Sequence, residues 1–213
     1  MLTDPGADAV IWCDFGGVLT PPISTAVDSI VAASGIPWAV LATAAETVAA
    51  DEGLQGFAPL ELGRLSQAEW GRRVTAALPP DVQPRIDLGD WGTYWYSGRE
   101  LNGVLVEELR RLRHRGLRIG LLTNSVLEWE RHRERMLAAV DVFTHVLRSH
   151  ELGIAKPDPR VFEHAARVLE TGGETLLIDD SPQNCRAAEA YGWTVIEHHD
   201  NVSTIAELRQ RYG

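Results

Sequence analysis

The sequence predicts an α/β protein built on a doubly wound parallel sheet, with an inserted and mostly helical subdomain. Three observations carry this expectation. Short continuous apolar runs recur along the chain, helical periodicity fills most of the intervals between them, and one long interval near the N-terminus holds helical patterns but no strand.

The first apolar run, Ala9 to Cys13, ends at Asp14 and is followed by two glycines, as a buried parallel strand entering a loop would be. Similar runs lie at Leu117 to Leu122, Val142 to Leu147, Thr175 to Ile178 and Trp193 to Ile196. Helical periodicity covers Gly103 to Arg115, Leu127 to Ala139, Pro159 to Leu169, Pro182 to Tyr191 and Ser203 to Tyr212. Strand and helix alternate, so right-handed βαβ units are expected, and ligands bind such sheets at the carboxyl ends of the strands.

From Pro21 to about Arg99 the alternation stops. Helical stretches at Ser24 to Ser34, Trp38 to Ala50 and Ser66 to Leu78 suggest an inserted subdomain. Its aromatic residues Trp38, Trp70, Trp91, Tyr94, Trp95 and Tyr96 either build its core or line a pocket; core is the favoured reading, because aromatics supply most of a small core's buried area.

At 213 residues the chain has room for one main domain and such an excursion. Apolar residues make up 45% and charged residues 23%, an ordinary globular composition. The formal charge of −10 disfavours nucleic acid and anionic membranes as partners. An anionic substrate then needs local positive potential, from a cation or from backbone N–H groups. Two cysteines, Cys13 and Cys185, lie in apparent core elements and suggest neither disulfides nor a zinc site; reduced thiols in a cytoplasm are the plain reading. The acidic segment Met1 to Ala9 has no export pattern, and no run approaches the roughly 20 apolar residues of a membrane span. Oligomeric state stays open, since the seven tryptophans can be core or interface.

The strand ends carry the chemistry. The first delivers Asp14, Phe15, Gly16 and Gly17; the second delivers Thr123, Asn124 and Ser125; a loop before a helix carries Lys156, Pro157, Asp158 and Pro159; the fourth ends in Asp179, Asp180 and Ser181. Each has a structural alternative: Asp14 as a turn residue, Ser125 as a helix cap, Lys156 as a solvated lysine. The adjacent Asp179 and Asp180 repel each other unless a cation lies between them. Together the set suits attack on a phosphate: Asp14, Asp179 and Asp180 supply oxygens for Mg²⁺, while Thr123, Asn124 and Lys156 supply donors for the transferring group.

These four segments, in this order, resemble the four motifs of the haloacid dehalogenase-like (HAD) superfamily. The match runs from Ala9 to about Ile196 and includes Leu121 to Ser125, Gly153 to Pro159 and Ile178 to Gly192. The insertion resembles that family's helical cap of the first class, with Leu62 to Ser66 in place of its Gly-x-x-Ser turn. The resemblance implies a Rossmann-like core over 1–20 and 100–213 and a cap over 21–99. It implies a Mg²⁺-dependent hydrolase of small phosphorylated metabolites, with Asp14 the nucleophile that becomes a phospho-aspartate. Thr123 and Lys156 would bind the phosphoryl group, joined by Asn124. The metal would be held by Asp14, the Gly16 carbonyl and Asp180, with Asp179 beside it. Asn184, where many relatives have a further aspartate, either orients Lys156 or a metal-bound water, or lies on a helix surface.

One position breaks the family pattern. Most HAD phosphatases carry a second aspartate two residues after the nucleophile to move protons, and here that residue is Gly16. A general acid/base is worth about 10²–10⁴ in rate. Three readings follow: a phosphatase that finds its proton elsewhere, a haloacid dehalogenase-type hydrolase of carbon–halogen bonds, or a catalytically weakened binding or regulatory protein. The retained acidic pair favours phosphate. Specificity would lie in the cap, where Glu61, Arg64 and Trp70 are the candidates.

Overall fold

A computed structural model describes residues 8–213; most of the acidic N-terminal segment read above lies outside the described residues. Five parallel strands form one sheet: β1 (Val10–Cys13), β2 (Arg118–Thr123), β3 (His145–Arg148), β4 (Thr175–Asp179) and β5 (Thr194–Glu197), in the order β3-β2-β1-β4-β5. The α-helices among the described residues are α1 (Ile23–Ser34), α2 (Trp38–Asp51), α3 (Ala58–Glu61), α4 (Gln67–Ala77), α5 (Trp91–Trp95), α6 (Gly103–His114), α7 (Glu130–Leu137), α8 (Ser149–Leu152), α9 (Pro159–Val168), α10 (Pro182–Tyr191) and α11 (Asn201–Tyr212).

Both faces of the sheet are covered, which is why its strands read as continuous apolar runs rather than alternating ones. Ile11 and Cys13 of β1 face a core shared with Leu105 and Leu109 of α6 and Leu208 of α11. Val10 and Trp12 face the opposite core, with Val161, Phe162 and Ala165 of α9 and Ala188 of α10. Gly120 in β2 makes room for Trp12, whose ring would stand 2.3 Å from a Cβ there. Both cysteines are free and buried.

The helices hold where the sequence supplies caps. Asp158 and Asp200 accept backbone N–H bonds at the starts of α9 and α11. The Asp200 cap sets the start of α11 at Asn201, two residues ahead of the predicted Ser203. Two further expectations are corrected. The third strand, predicted from Val142, pairs only from His145, opposite Gly120; Val142 instead drives its side chain into the core without joining the ladder. The helix predicted from Leu127 opens as a 3₁₀ turn, Leu127–Trp129, that buries Trp129.

Between β1 and α6 the chain forms α1 to α5 and no strand. This helical insertion has its own core, in which Ala26, Ile30, Leu41, Val48, Trp70, Val74, Trp91 and Trp95 meet Trp129. Rings of Trp70 and Trp91 meet edge to face at 5.1 Å, and those of Trp95 and Trp129 stack at 5.3 Å. Aromatic side chains of the insertion are therefore mainly core. Among the described residues no single helix is long and apolar enough to cross a membrane.

Candidate active site

Strands are added on one side of β1 up to β3 and on its other side from β4, and the site lies at this switch point, at the carboxyl ends of the parallel pair β1 and β4. The Asp14 N–H bonds the Ile178 carbonyl at 2.8 Å, extending the β1–β4 pairing by one residue and placing the carboxylate at the sheet edge. Lys156 arrives on the loop between α8 and α9. Its Nζ donates to Asp14 Oδ1 at 2.8 Å, to Asp179 Oδ2 at 2.6 Å and to the Leu122 carbonyl at 2.8 Å. An ammonium has three hydrogens, so all are engaged. Lys156 is only 4% exposed. Burial alone would lower its pKa, but Asp14 and then Asp179 overcome that and hold it above the ordinary lysine range.

Asp179 is completely buried and fully bonded, its Oδ1 accepting from the Ser181 N–H at 2.9 Å and Asn184 Nδ2 at 3.0 Å. Asn184 thus orients the aspartate rather than the lysine. Asp14, Asp179 and Asp180 each offer an oxygen within 4.8 Å of the others. Burial pushes Asp14 up to about 6, against Lys156 and helped by Asp179. Burial, Asp14 and Asp179 push Asp180 up to about 7. Three carboxylates against one ammonium leave an excess of negative charge that a cation would relieve. The donors are all hard oxygens, the set that suits Mg²⁺ or Ca²⁺ rather than softer metals. Gly17 helps to build this cradle, since a Cβ on it would overlap Asp180.

Thr123 ends β2 nearly buried, with its hydroxyl directed to the Asn124 carbonyl at 3.1 Å. The Asn124 side chain brackets the Lys156 peptide, donating to its carbonyl and accepting from its N–H, each at 2.9 Å. Its remaining N–H points to Glu61 Oε2 at 3.4 Å. Any grip of Asn124 on a ligand therefore falls to its backbone. Ser125 does not cap a helix: its N–H bonds Ser149 Oγ and its hydroxyl pairs with His150 Nδ1 at 2.7 Å.

Gly16 is at the end of this edge, and a Cβ built on it would stand 3.1 Å from Ile23 Cδ1. The space where relatives of the resembled family place a second aspartate is thus bordered by a methyl group of α1. Of the three candidates in the insertion, Glu61 faces the site, whereas Trp70 is fully buried in the insertion's core and Arg64 is exposed. Gly63, in the left-handed region at φ 65°, turns α3 away beside the His150 carbonyl, and Ser66 caps α4.

Arg133 was not visible as a site residue in the sequence. Its buried guanidinium lies 5.6 Å from the Phe15 ring and donates to Tyr96 Oη at 2.9 Å and Glu130 Oε1 at 2.5 Å. The run Arg131 to Arg135 is rich in charge and does not reveal which member turns inward. Arg99 ties the two connections to the insertion together, bonding Thr20 Oγ1 at 2.7 Å, Thr25 Oγ1 at 2.9 Å and the carbonyls of Pro21 and Pro22.

A parallel sheet whose carboxyl edge carries three aspartates and a lysine beneath a helical insertion marks the class: an α/β protein with its candidate active site at the topological switch point. The chain belongs to the haloacid dehalogenase-like hydrolases, whose family model matches residues 8–192. It is 31% identical over 106 residues to a sesquiterpene phosphatase of Aspergillus oryzae, covering 49% of this chain and 54% of that one. It is 38% identical over 76 residues to the phosphoserine phosphatase of Thermus thermophilus, covering 35% of this chain and 30% of that one. The matched part thus spans about half or less of these relatives' length. Among solved structures it is similar to a HAD family enzyme of Bacteroides thetaiotaomicron in complex with magnesium and inorganic phosphate, with a TM-score of 0.64, 19% identity and coverage of 93% of this chain and 98% of that one. It is also similar to a 2-haloacid dehalogenase of Pseudomonas syringae, with a TM-score of 0.65, 17% identity and coverage of 97% and 100%. At such identities the structural likeness is one of fold.

Proposed function

We propose that this hydrolase cleaves phosphate monoesters of small metabolites, with Asp14 as nucleophile and residues 21–99 acting as a cap over the 1–20 and 100–213 core. The observation that carries this reading is the Lys156 ammonium, held between Asp14 and Asp179 while Asp180 stands beside them. A Mg²⁺ ion held by Asp14, Asp180 and the Gly16 carbonyl, with Asp179 alongside, would neutralise phosphate charge there.

The chain's own groups divide the remaining work. Lys156 fixes the Asp14 rotamer and screens its charge, so an oxygen of Asp14 is presented rather than free to rotate. The Thr123 hydroxyl and backbone N–H groups of the loops after β1 and β2 bind the transferring oxygens. Attack forms an acyl phosphate on Asp14 as the bond from phosphorus to the alcohol oxygen breaks, and water then attacks phosphorus to release phosphate and restore the carboxylate. Asp14 is 8% exposed and Thr123 and Lys156 4%, so the chemistry takes place largely out of water. Glu61 of the insertion reaches Asn124 over this edge, where opening and closing of the cap would admit substrate.

Phosphatase relatives support a phosphate ester over a carbon–halogen bond. The acidic trio does so independently, because halide departure from carbon needs no cation to quench a dianion. Phosphate release from p-nitrophenyl phosphate with Mg²⁺ and with EDTA tests the reading. Activity that requires Mg²⁺ and vanishes in Asp14→Asn is expected. Wild-type release no faster than that of Asp14→Asn across a broad phosphate panel would overturn it in favour of a binding role.

A further inference from the structure

Gly16 removes the side chain that would move protons, and the geometry points to Glu61 as its replacement. We propose that Glu61 protonates the departing alcohol oxygen and later takes a proton from the attacking water; this rests on the phosphatase reading above. Glu61 ends α3, on the insertion, and reaches over the strand edge until its Oε2 is 3.4 Å from Asn124 Nδ2, next to Thr123. At that length the bond is weak, and the other carboxylate oxygen has no hydrogen-bond partner among the described residues. The group is thus placed without being used up.

Its position is set by the core rather than by the insertion alone. Ser149 Oγ donates to the Glu61 carbonyl at 2.6 Å and accepts from the Ser125 N–H at 2.8 Å. When the insertion sits closed, Glu61 is delivered to a fixed place beside the phosphoryl-binding loop. Ile23 borders the Gly16 side of the site with hydrocarbon, so no carboxylate competes from there.

Facing Glu61 are Arg133 of α7, Asp14 after β1 and Lys156 before α9, with His150 of α8 bonded to Ser125. Burial pushes the Glu61 carboxyl up to about 7; Arg133 and Lys156 work against this and Asp14 with it. A carboxyl titrating there is protonated often enough to be an acid and ionised often enough to be a base near neutrality.

The steps balance. Asp14 attacks phosphorus, the bond to the alcohol oxygen breaks with its electron pair, and the Glu61 proton completes the alcohol, leaving Glu61 ionised. Water then attacks phosphorus, Glu61 takes its proton, and the electron pair of the breaking bond returns to Asp14 as phosphate leaves.

The test compares wild type with Glu61→Gln on n-butyl phosphate and p-nitrophenyl phosphate, whose leaving groups differ in their need for a proton. For Glu61→Gln, kcat/KM on the alkyl ester is expected to fall about 10²–10⁴-fold, and on the aryl ester less than about tenfold. The wild-type fall in alkyl kcat/KM above about pH 7 is expected to vanish, while kcat drops on both esters as phosphoenzyme accumulates. Gly16→Asp in the Glu61→Gln background is expected to restore alkyl turnover, and Glu61→Asp to keep part of it. Equal loss of kcat/KM on both esters in folded Glu61→Gln, or an unchanged pH profile, would overturn the assignment while leaving the phosphatase reading intact. An inactive wild type on both esters would overturn the two together.

Discussion

A Cβ built on Gly17 would fall 1.9 Å from Asp180 Oδ2, and Gly17 holds φ at 79°, so the contact of these two residues depends on glycine twice over. Gly17→Ala therefore meets a steric clash and a left-handed backbone that together displace Asp180. The backbone alone costs about 1–2 kcal/mol. Expected outcomes are a lowered melting temperature and Mg²⁺ affinity reduced at least tenfold, measured by calorimetric titration; unchanged affinity would mean that Asp180 does not hold the ion.

Lys156 is the one cation hydrogen-bonded to both Asp14 and Asp179 among the described residues. Lys156→Met leaves two buried carboxylates without their ammonium, a loss of roughly 3–5 kcal/mol by comparison with other broken buried pairs. Urea denaturation should show a large fall in midpoint. Adding Asp179→Asn should recover part of the stability but none of the activity.

Metal-free protein should lose stability as pH rises. Glu61 and Asp180 titrate near 7 and Asp14 near 6 when folded, against about 4 when unfolded. Between those limits the folded chain holds protons that the unfolded chain has released, so unfolding free energy falls with increasing pH. Melting should therefore be lower at pH 8 than at pH 5 in EDTA, by roughly 2–4 °C per kcal/mol lost. Saturating Mg²⁺ should flatten the slope; an increase in melting temperature with pH in EDTA would refute these protonation states.

Gly16→Asp is nearly accommodated, because the obstacle is the movable tip of Ile23, itself 37% exposed. Combined with Ile23→Ala in the Glu61→Gln background, it should raise kcat/KM for esters with poor leaving groups by at least tenfold. A lower rate in a folded protein would count against proton transfer as the function that Glu61 supplies.

Gln67 is a buried polar hub: Oε1 accepts from the Gly92 N–H at 2.7 Å and from Trp129 Nε1, while Nε2 donates to the Gly89 carbonyl at 2.9 Å. Gln67→Leu strands these groups, each at about 1–3 kcal/mol. The variant should unfold at visibly lower urea and free the insertion from Trp129, seen as faster amide exchange in α4 and α5.

Asp14, Asp179, Asp180 and Lys156 could be singled out because strand ends announce themselves by apolar runs that stop at a polar residue, and the structure gathers those four. Glu61 was visible only as one of several candidates in the insertion. Arg133 and Gln67 were not visible at all, since a charged or polar residue turned inward looks in sequence like one turned outward. The early start predicted for β3 arose from the same source: Val142 is apolar because it packs, not because it pairs.

Local pattern by itself determined the alternation of strand and helix, the helical insertion, and which residues stand at the sheet's carboxyl edge, because each follows from neighbours within a few positions. Only the tertiary structure decided that Lys156 spends all its hydrogens on Asp14, Asp179 and Leu122, that Ile23 borders the place of the absent aspartate, and that Glu61 comes over Asn124. Ile23 and Gly16 are near in sequence but lie on different elements, and the other contacts join residues 23 to 142 positions apart; the free energy that selects them comes from burial and charge pairing across elements, which no periodicity along the chain encodes.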